Sequence, residues 1–148
     1  KRIKINNLLL AVPSNGLHSN GFSLIRRILE KKKISIKKNK FLKKELIKPT
    51  KIYVSEILKL IDKKLLNGCA NITGGGIVEN IKRIIPDNYC ANINLNQIKP
   101  LKIFNWLKNN DVTDREMLKT FNCGIGLIII INHNVRRYQQ KKRKILII

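Results

Sequence analysis

The chain has 148 residues, 43% of them hydrophobic, and 31 Lys and Arg against 9 Asp and Glu give a formal net charge of +22. That length suits one domain, and that apolar fraction excludes a disordered basic tail. No apolar run nears the roughly 18 residues that span a bilayer, and the stretch at 8–12 is shorter than the roughly 7–15 residues of a secretory signal core.

Residues 8–12 read as a short buried strand, closed by the turn-rich Pro13-Ser14-Asn15-Gly16. A helical period follows in Phe22, Ile25, Ile28 and Leu29, with Ser19 or Asn20 as its expected N-cap. Residues 31–44 form a basic connector with a helical turn near 41–46. Pro49-Thr50 opens a further helix with Tyr53, Ile57, Leu60 and Ile61 on its apolar side. Residues 70–73 are a strand candidate running into Gly74-Gly75-Gly76, and a helix through Ile77, Ile81 and Ile84 stops at Pro86. Residues 91–95 alternate as a half-buried strand does. Pro100 suits the start of a helix carrying Ile103, Phe104 and Leu107, and Thr113-Asp114-Arg115-Glu116 is a capping box. The β-branched run 125–131 is a central strand, and 145–148 a final edge strand after a basic segment.

The charge invites a nucleic-acid reading, since Lys and Arg neutralise phosphates. Against it, Lys (23), Ile (26) and Asn (18) make up 67 residues, all with A/T-rich codons, and the basic residues lie along the whole chain. Aromatics are 5%, too few for a base-stacking platform. Compositional drift is therefore preferred over dedicated nucleic-acid binding. Cys69, Cys90 and Cys123 form no CxxC pair. They indicate a reducing, cytoplasmic setting, with Cys69 and Cys90 expected as buried small hydrophobes.

Two segments enter helices from strands. Thr73-Gly74-Gly75-Gly76 allows positive φ and could turn successive N–H groups toward an anion, or could simply be a tight turn. Gly16-Leu17-His18-Ser19-Asn20-Gly21 sets an imidazole, a hydroxyl and an amide together, either for a phosphate-bearing ligand or as a capping turn. His133 reads as a surface residue. In Asn122-Cys123-Gly124-Ile125-Gly126 the glycines mark close backbone approach, and Cys123 is a buried thiol because no base is apparent beside it. Acidic residues are too scattered for a metal site.

In order along the chain, Gly16-Leu17-His18-Ser19-Asn20-Gly21-Phe22-Ser23-Leu24, Pro49-Thr50-Lys51-Ile52-Tyr53-Val54 and Ile72-Thr73-Gly74-Gly75-Gly76 with Glu79-Asn80 are followed by Ile84-Ile85-Pro86, Ile103-Phe104-Asn105-Trp106-Leu107 and Glu116-Met117 with Thr120-Phe121-Asn122-Cys123-Gly124-Ile125-Gly126. This set resembles the C-terminal domain of the phosphoribosylformylglycinamidine cyclo-ligases (aminoimidazole ribonucleotide synthetases) from about residue 8 to 131. The resemblance implies an α/β chain of the α+β type, a three-layer α/β/α domain with a mixed sheet, occupying residues 1–148 with a divergent basic tail at 132–148. It implies a purine-synthesis ligase in which ATP activates the formyl oxygen of formylglycinamidine ribonucleotide and an amidine nitrogen closes the imidazole ring.

Carried over by position, His18 is the expected catalytic residue. Ser19, Asn20, Gly21, Thr73, Gly74, Gly75, Gly76 and Asn80 are the expected substrate- and phosphate-binding residues. ATP and Mg2+ would be held mainly by an N-terminal domain that this chain lacks. The complete enzyme would be a cytoplasmic homodimer with no membrane or dedicated nucleic-acid partner. The chain departs from the family in a shortened basic connector, in Pro13 where a small residue is usual, and beyond residue 131. It therefore reads as a fragment or as the product of a split or decaying gene. Taken alone it is expected to be inactive, for want of an acidic magnesium site. The alternatives are another ATP-dependent synthetase or kinase of the same superfamily, or a non-catalytic basic RNA-binding remnant.

Overall fold

A computed structural model describes residues 2–132 and 146–147 of the chain. Its elements are β1 (Leu8–Pro13), α1 (Phe22–Lys31), α2 (Lys40–Leu46), α3 (Val54–Asp62), β2 (Leu66–Asn71), α4 (Gly76–Lys82), α5 (Lys102–Lys108), α6 (Asp114–Thr120), β3 (Ile125–Ile131) and β4 (Leu146–Ile147). Short 3-10 turns lie at Ile36–Lys38 and Leu95–Gln97.

The sheet is built around β3, in the order β2-β3-β1-β4. All its described pairs are antiparallel, from Leu8↔Ile131 to Val12↔Leu127 on one side of β3 and from Leu66↔Ile131 to Asn71↔Leu127 on the other. The α+β class stands, with antiparallel pairing among the described strands where a mixed sheet was expected. Every residue of β3 is buried, which explains its unbroken apolar run, since a strand covered on both faces need not alternate. On one face Ile77 and Ile81 of α4 pack against Ala11, Ala70 and Ile128. On the other, Tyr53 with Ile57 and Leu60 of α3 packs against Leu10, Leu127, Ile129 and Ile131. At about 1.5–3 kcal/mol for each fully buried Leu or Ile side chain, β3 is the main apolar anchor of the sheet. A second core joins α1, α2, α5 and α6 through Ile25, Leu42, Phe104 and Met117, and the rings of Phe104 and of Phe121, just past α6, meet edge-on at 6.2 Å.

Several local expectations need correction. The N-cap of α1 is Gly21, in the left-handed conformation at φ 74, and neither Ser19 nor Asn20 caps the helix with its side chain. The helix after Pro49-Thr50 starts only at Val54, because residues 49–51 run alongside the loop after β1 and bond to it. Tyr53 is buried as expected, but Ile61 is largely exposed. β2 lies earlier than residues 70–73, with a register shift between Leu66 and Gly68. Residues 91–94 form no strand. Their alternation comes from Asn between apolar residues, and Asn94 instead closes a turn by accepting the Asn96 N–H at 3.1 Å. Ala91 and Ile93 pack singly against the α4 core. Cys90 is exposed and Cys69 half-buried. Thr113 caps α6 by accepting the Glu116 N–H, while the Glu116 carboxylate accepts the Thr120 hydroxyl. The final edge strand is present as β4. His133 and the basic segment before β4 lie outside the described residues. No helix of the described residues is long and apolar enough to cross a membrane.

Candidate functional site

Sheet topology determines which loops can meet. β1 and β2 both run antiparallel to β3, so their carboxyl ends lie at the edge where β3 begins. The loop 14–20 after β1, the glycine turn 72–76 after β2 and the turn 122–124 before β3 therefore emerge together. The Ser14 N–H donates to Gly124 O at 2.8 Å, the Ile72 N–H donates to Gly126 O at 2.9 Å, and a Cβ built on Gly74 would lie 3.8 Å from Asn20 Oδ1.

The loop after β1 holds two consecutive non-glycine residues at positive φ, His18 at 53° and Ser19 at 61°. Such strain persists where the surroundings over-determine the backbone, and it clusters at functional sites. His18 is only 6% exposed. Its Nε2 lies 2.6 Å from Asn15 Oδ1, and the Asn15 amide is oriented by its own donation to Pro49 O at 3.1 Å. The backbone N–H groups of Asn15 and Lys51 also point at Nε2 as donors, at 3.3 and 3.4 Å, so this nitrogen faces one acceptor and two donors, and the shorter contact to Oδ1 favours the proton on Nε2. Nδ1 is buried and has no hydrogen-bond partner among the described residues. Burial, and secondarily the Lys51 ammonium, hold the His18 pKa below its ordinary value. Both effects favour the neutral form of the ring, which packs 6.0 Å from the Tyr53 ring. The Tyr53 hydroxyl donates to Pro13 O at 3.0 Å, and burial with Glu56 nearby pushes its pKa up to about 12.

The polar atoms open to solvent lie above that ring. Ser19 is exposed and its Oγ lies 3.2 Å from Thr50 Oγ1, while the Asn20 amide donates to His18 O at 2.9 Å. Exposed Lys51 sets its ammonium 5.2 Å from the centre of the Tyr53 ring. Thr50, Lys51 and Tyr53 were read from sequence as a helix start, and their place beside His18 was not foreseen.

The glycine turn is shaped from below by Asn80. Its Nδ2 donates to Gly76 O at 2.7 Å and reaches Thr73 O and Gly74 O at 3.3 Å, while Oδ1 accepts the Thr73 hydroxyl at 3.2 Å. Gly75 and Gly76 have φ of 92° and 63°, which only glycine adopts freely, and a Cβ on Gly76 would overlap the Leu118 carbonyl. Glu79 leans over Gly75, so a carboxylate of this chain borders the turn. Asn80 thus bonds inward to its own loop, and Gly74 is the exposed point of the turn.

Below the loop after β1 sits Asn122, fully buried. Its Oδ1 accepts from Ser14 Oγ at 3.1 Å and from Gly124 N at 2.8 Å, and its Nδ2 donates to Gly16 O at 2.9 Å. Asn122 was quoted in the sequence only as part of a block. The signal available was one amide between buried Phe121 and the apolar β3. Cys123 beside it is a thiol, its pKa pushed up to about 11 by burial first and by Asp114 second. Among the described residues no three His, Cys, Asp or Glu side chains come together to hold a metal ion.

This edge of the sheet carries the segments of a known domain class. Residues 4–139 match the family described as AIR synthase related protein, C-terminal domain, and the chain belongs to that family. Three similar curated relatives carry one name. The chain is 41% identical over 136 residues to the phosphoribosylformylglycinamidine cyclo-ligase of Neisseria meningitidis serogroup B, covering 88% of this chain and 40% of the relative. The proteins of the same name from Neisseria gonorrhoeae (42% over 134 residues, 87% and 39% covered) and Chromobacterium violaceum (41% over 130 residues, 84% and 38% covered) are similar. The chain thus spans about two-fifths of the length of the relatives it matches.

Proposed function

We propose that this chain serves as the C-terminal domain of a phosphoribosylformylglycinamidine cyclo-ligase. The observation that supports this most is that the separate blocks resembling the family, at 16–24, 49–54, 72–76 and 120–126, meet at one sheet edge, with polar groups facing outward from a buried scaffold. The reaction is the ATP-dependent ring closure of formylglycinamidine ribonucleotide to aminoimidazole ribonucleotide, with ADP and phosphate released. Phosphorylation makes the formyl oxygen a good leaving group, and the amidine nitrogen then closes the ring.

In this reading Ser19, Asn20 and Thr50 offer hydroxyl and amide groups to the ribonucleotide, and Gly21 lets the chain turn from that cluster into α1. The glycine turn, held by Thr73 and Asn80 and carrying Gly74, Gly75 and Gly76, forms the opposite wall against the phosphate-bearing part. His18 acts from just beneath as a neutral imidazole that keeps Ser19 and Asn20 in place. The described residues bring no carboxylate cluster together, so they do not fit Mg2+. ATP and Mg2+ would be held by the portion of a cyclo-ligase beyond the matched region. Homodimeric assembly and a cytoplasmic location belong to the same proposal.

The test is a fusion of this chain to the part of the meningococcal relative that it does not match, assayed for ADP release dependent on formylglycinamidine ribonucleotide. Activity that falls about tenfold or more in Asn20→Ala, the scale of one polar contact to a charged ligand, supports the reading. An active fusion indifferent to Asn20→Ala and Thr50→Ala refutes the site. A fusion inactive on this ribonucleotide, while the chain binds RNA with affinity falling steeply as salt rises, favours the RNA-binding alternative instead.

A further inference from the structure

We infer that Asn122 is a positioning residue for the candidate site: its side chain sets the conformation of the loop 14–20 and, through that loop, the side of the His18 ring that carries the proton. Asn122 has 0% exposure and makes three hydrogen bonds, two of which cross to the loop, at Ser14 Oγ and Gly16 O. The third, from the Gly124 N–H, ties the same amide to the turn leading into β3. The main chain repeats the link, with the Ser14 N–H donating to Gly124 O. The loop is thus fixed against the central strand two residues before the strained pair His18-Ser19.

The chemistry of the side chain matters here. Only a carboxamide supplies one acceptor for two donors and, in the same plane, a donor for a carbonyl. Aspartate would place a carboxylate against Gly16 O, and serine or alanine would not reach. Downstream, Asn15 Oδ1 at 2.6 Å from Nε2 favours the Nε2–H form of His18 over the form in which that nitrogen accepts from the Asn15 and Lys51 N–H groups at 3.3 and 3.4 Å, and Asn15 lies between the two loop residues that Asn122 holds. The other side of the ring rests on the same segment, since a Cβ on Gly126 would lie 2.7 Å from His18 Cε1. Residues 122–126 are thus a template for the His18 loop, with Asn122 fixing its backbone and Gly126 giving the ring its place. The importance of this arrangement for ring closure rests on the cyclo-ligase reading, whereas the arrangement itself does not.

The experiment is proton–nitrogen NMR of the 148-residue chain with labelled histidine. There are two His in the sequence, and a His133→Gln variant assigns the signals. In the unmodified chain His18 is expected as the neutral Nε2–H form, with a slowly exchanging ring proton. In Asn122→Ala that proton is expected to exchange about tenfold faster, the factor carried by one hydrogen bond of ordinary net strength, and the ring nitrogens shift toward a mixture of tautomers. Ser14→Ala, which removes one bond and leaves the others, gives a smaller change in the same sense and serves if Asn122→Ala does not fold. The unmodified chain, brought in urea to the stability of the variant, supplies the reference for stability loss alone. A folded Asn122→Ala or Ser14→Ala chain whose His18 tautomer and exchange match that reference overturns the inference, and so does an unmodified chain whose His18 is not in the Nε2–H form. No substrate enters these measurements, so failure of the cyclo-ligase reading would show only in the fusion assay.

Discussion

Gly126→Ala isolates the close packing under the His18 loop. A Cβ at this position would fall inside van der Waals contact of the Tyr53 hydroxyl and 2.7 Å from His18 Cε1. Neither group can retreat freely, because the Tyr53 hydroxyl is bonded to Pro13 O and the His18 ring to Asn15. Overpacking of this kind costs about 1–3 kcal/mol, and a hydroxyl pushed off its buried carbonyl partner about 1–3 kcal/mol more. Replacing a strand glycine by alanine returns about 0.5–1 kcal/mol of backbone entropy. The net expectation is a loss of about 1–5 kcal/mol, read as a lower urea midpoint at unchanged slope. The cause is separable by a double-mutant cycle with Tyr53→Phe. With the hydroxyl gone, the alanine methyl should cost about 1 kcal/mol less than it does in the parent. A neutral Gly126→Ala, or costs that add to within about 0.5 kcal/mol, would refute the packing described for this site.

Three further outcomes are expected. Because the folded pKa of His18 lies below 6.5, the unfolded chain binds more protons between the two values, so this contribution to stability is complete above pH 6.5 and is lost as pH falls below it. Urea midpoints at pH 7.5 and 5.5 should differ less in His18→Gln than in the parent, and equal differences would contradict the burial of a neutral ring. Gly76→Ala brings a Cβ onto the Leu118 carbonyl at a φ of 63°, and should destabilise the chain by about 2–4 kcal/mol in urea unfolding, the sum of left-handed strain and overlap. In a brief N-ethylmaleimide pulse followed by peptide mass mapping, exposed Cys90 should be labelled first, and Cys123, whose pKa is raised to about 11, should be protected. Fast labelling of Cys123 would show that the turn before β3 opens readily.

The elements most legible in the sequence were those whose pattern is set by burial alone. The run at 125–131 reads as the central strand because two covered faces leave no polar position, and Phe22, Ile25, Ile28 and Leu29 show the period of α1 because only one side of that helix meets the core. Legibility failed where Asn and Lys, abundant throughout the chain, imitate or dilute a pattern. Asn92 and Asn94 between apolar residues look like strand alternation, yet the segment is turn and coil. For the site, the blocks at 16–24 and 72–76 could be quoted in advance, but not which atoms turn outward. His18 points its chemistry into the scaffold because Asn15, Asn122 and Tyr53 close around its loop, contacts separated by up to 108 positions in sequence. No local pattern encodes such a meeting. The helix caps show the same limit, since Ser19 and Asn20 are good capping types but bond to Thr50 and to the His18 carbonyl.

The complete burial of β3 has a genetic consequence. Isoleucine occupies positions 125 and 128–131 of that strand, and its codons stand a single base change from those of asparagine or lysine. In an A/T-biased gene the mutational supply therefore runs directly from the residue this strand requires to residues that would place an amide or an ammonium in the core. At exposed positions the same substitutions pass almost without penalty, which is where lysine and asparagine have accumulated. Five of the seven positions of this central strand are isoleucine and none is lysine or asparagine, two of the residues that its codons reach in one step.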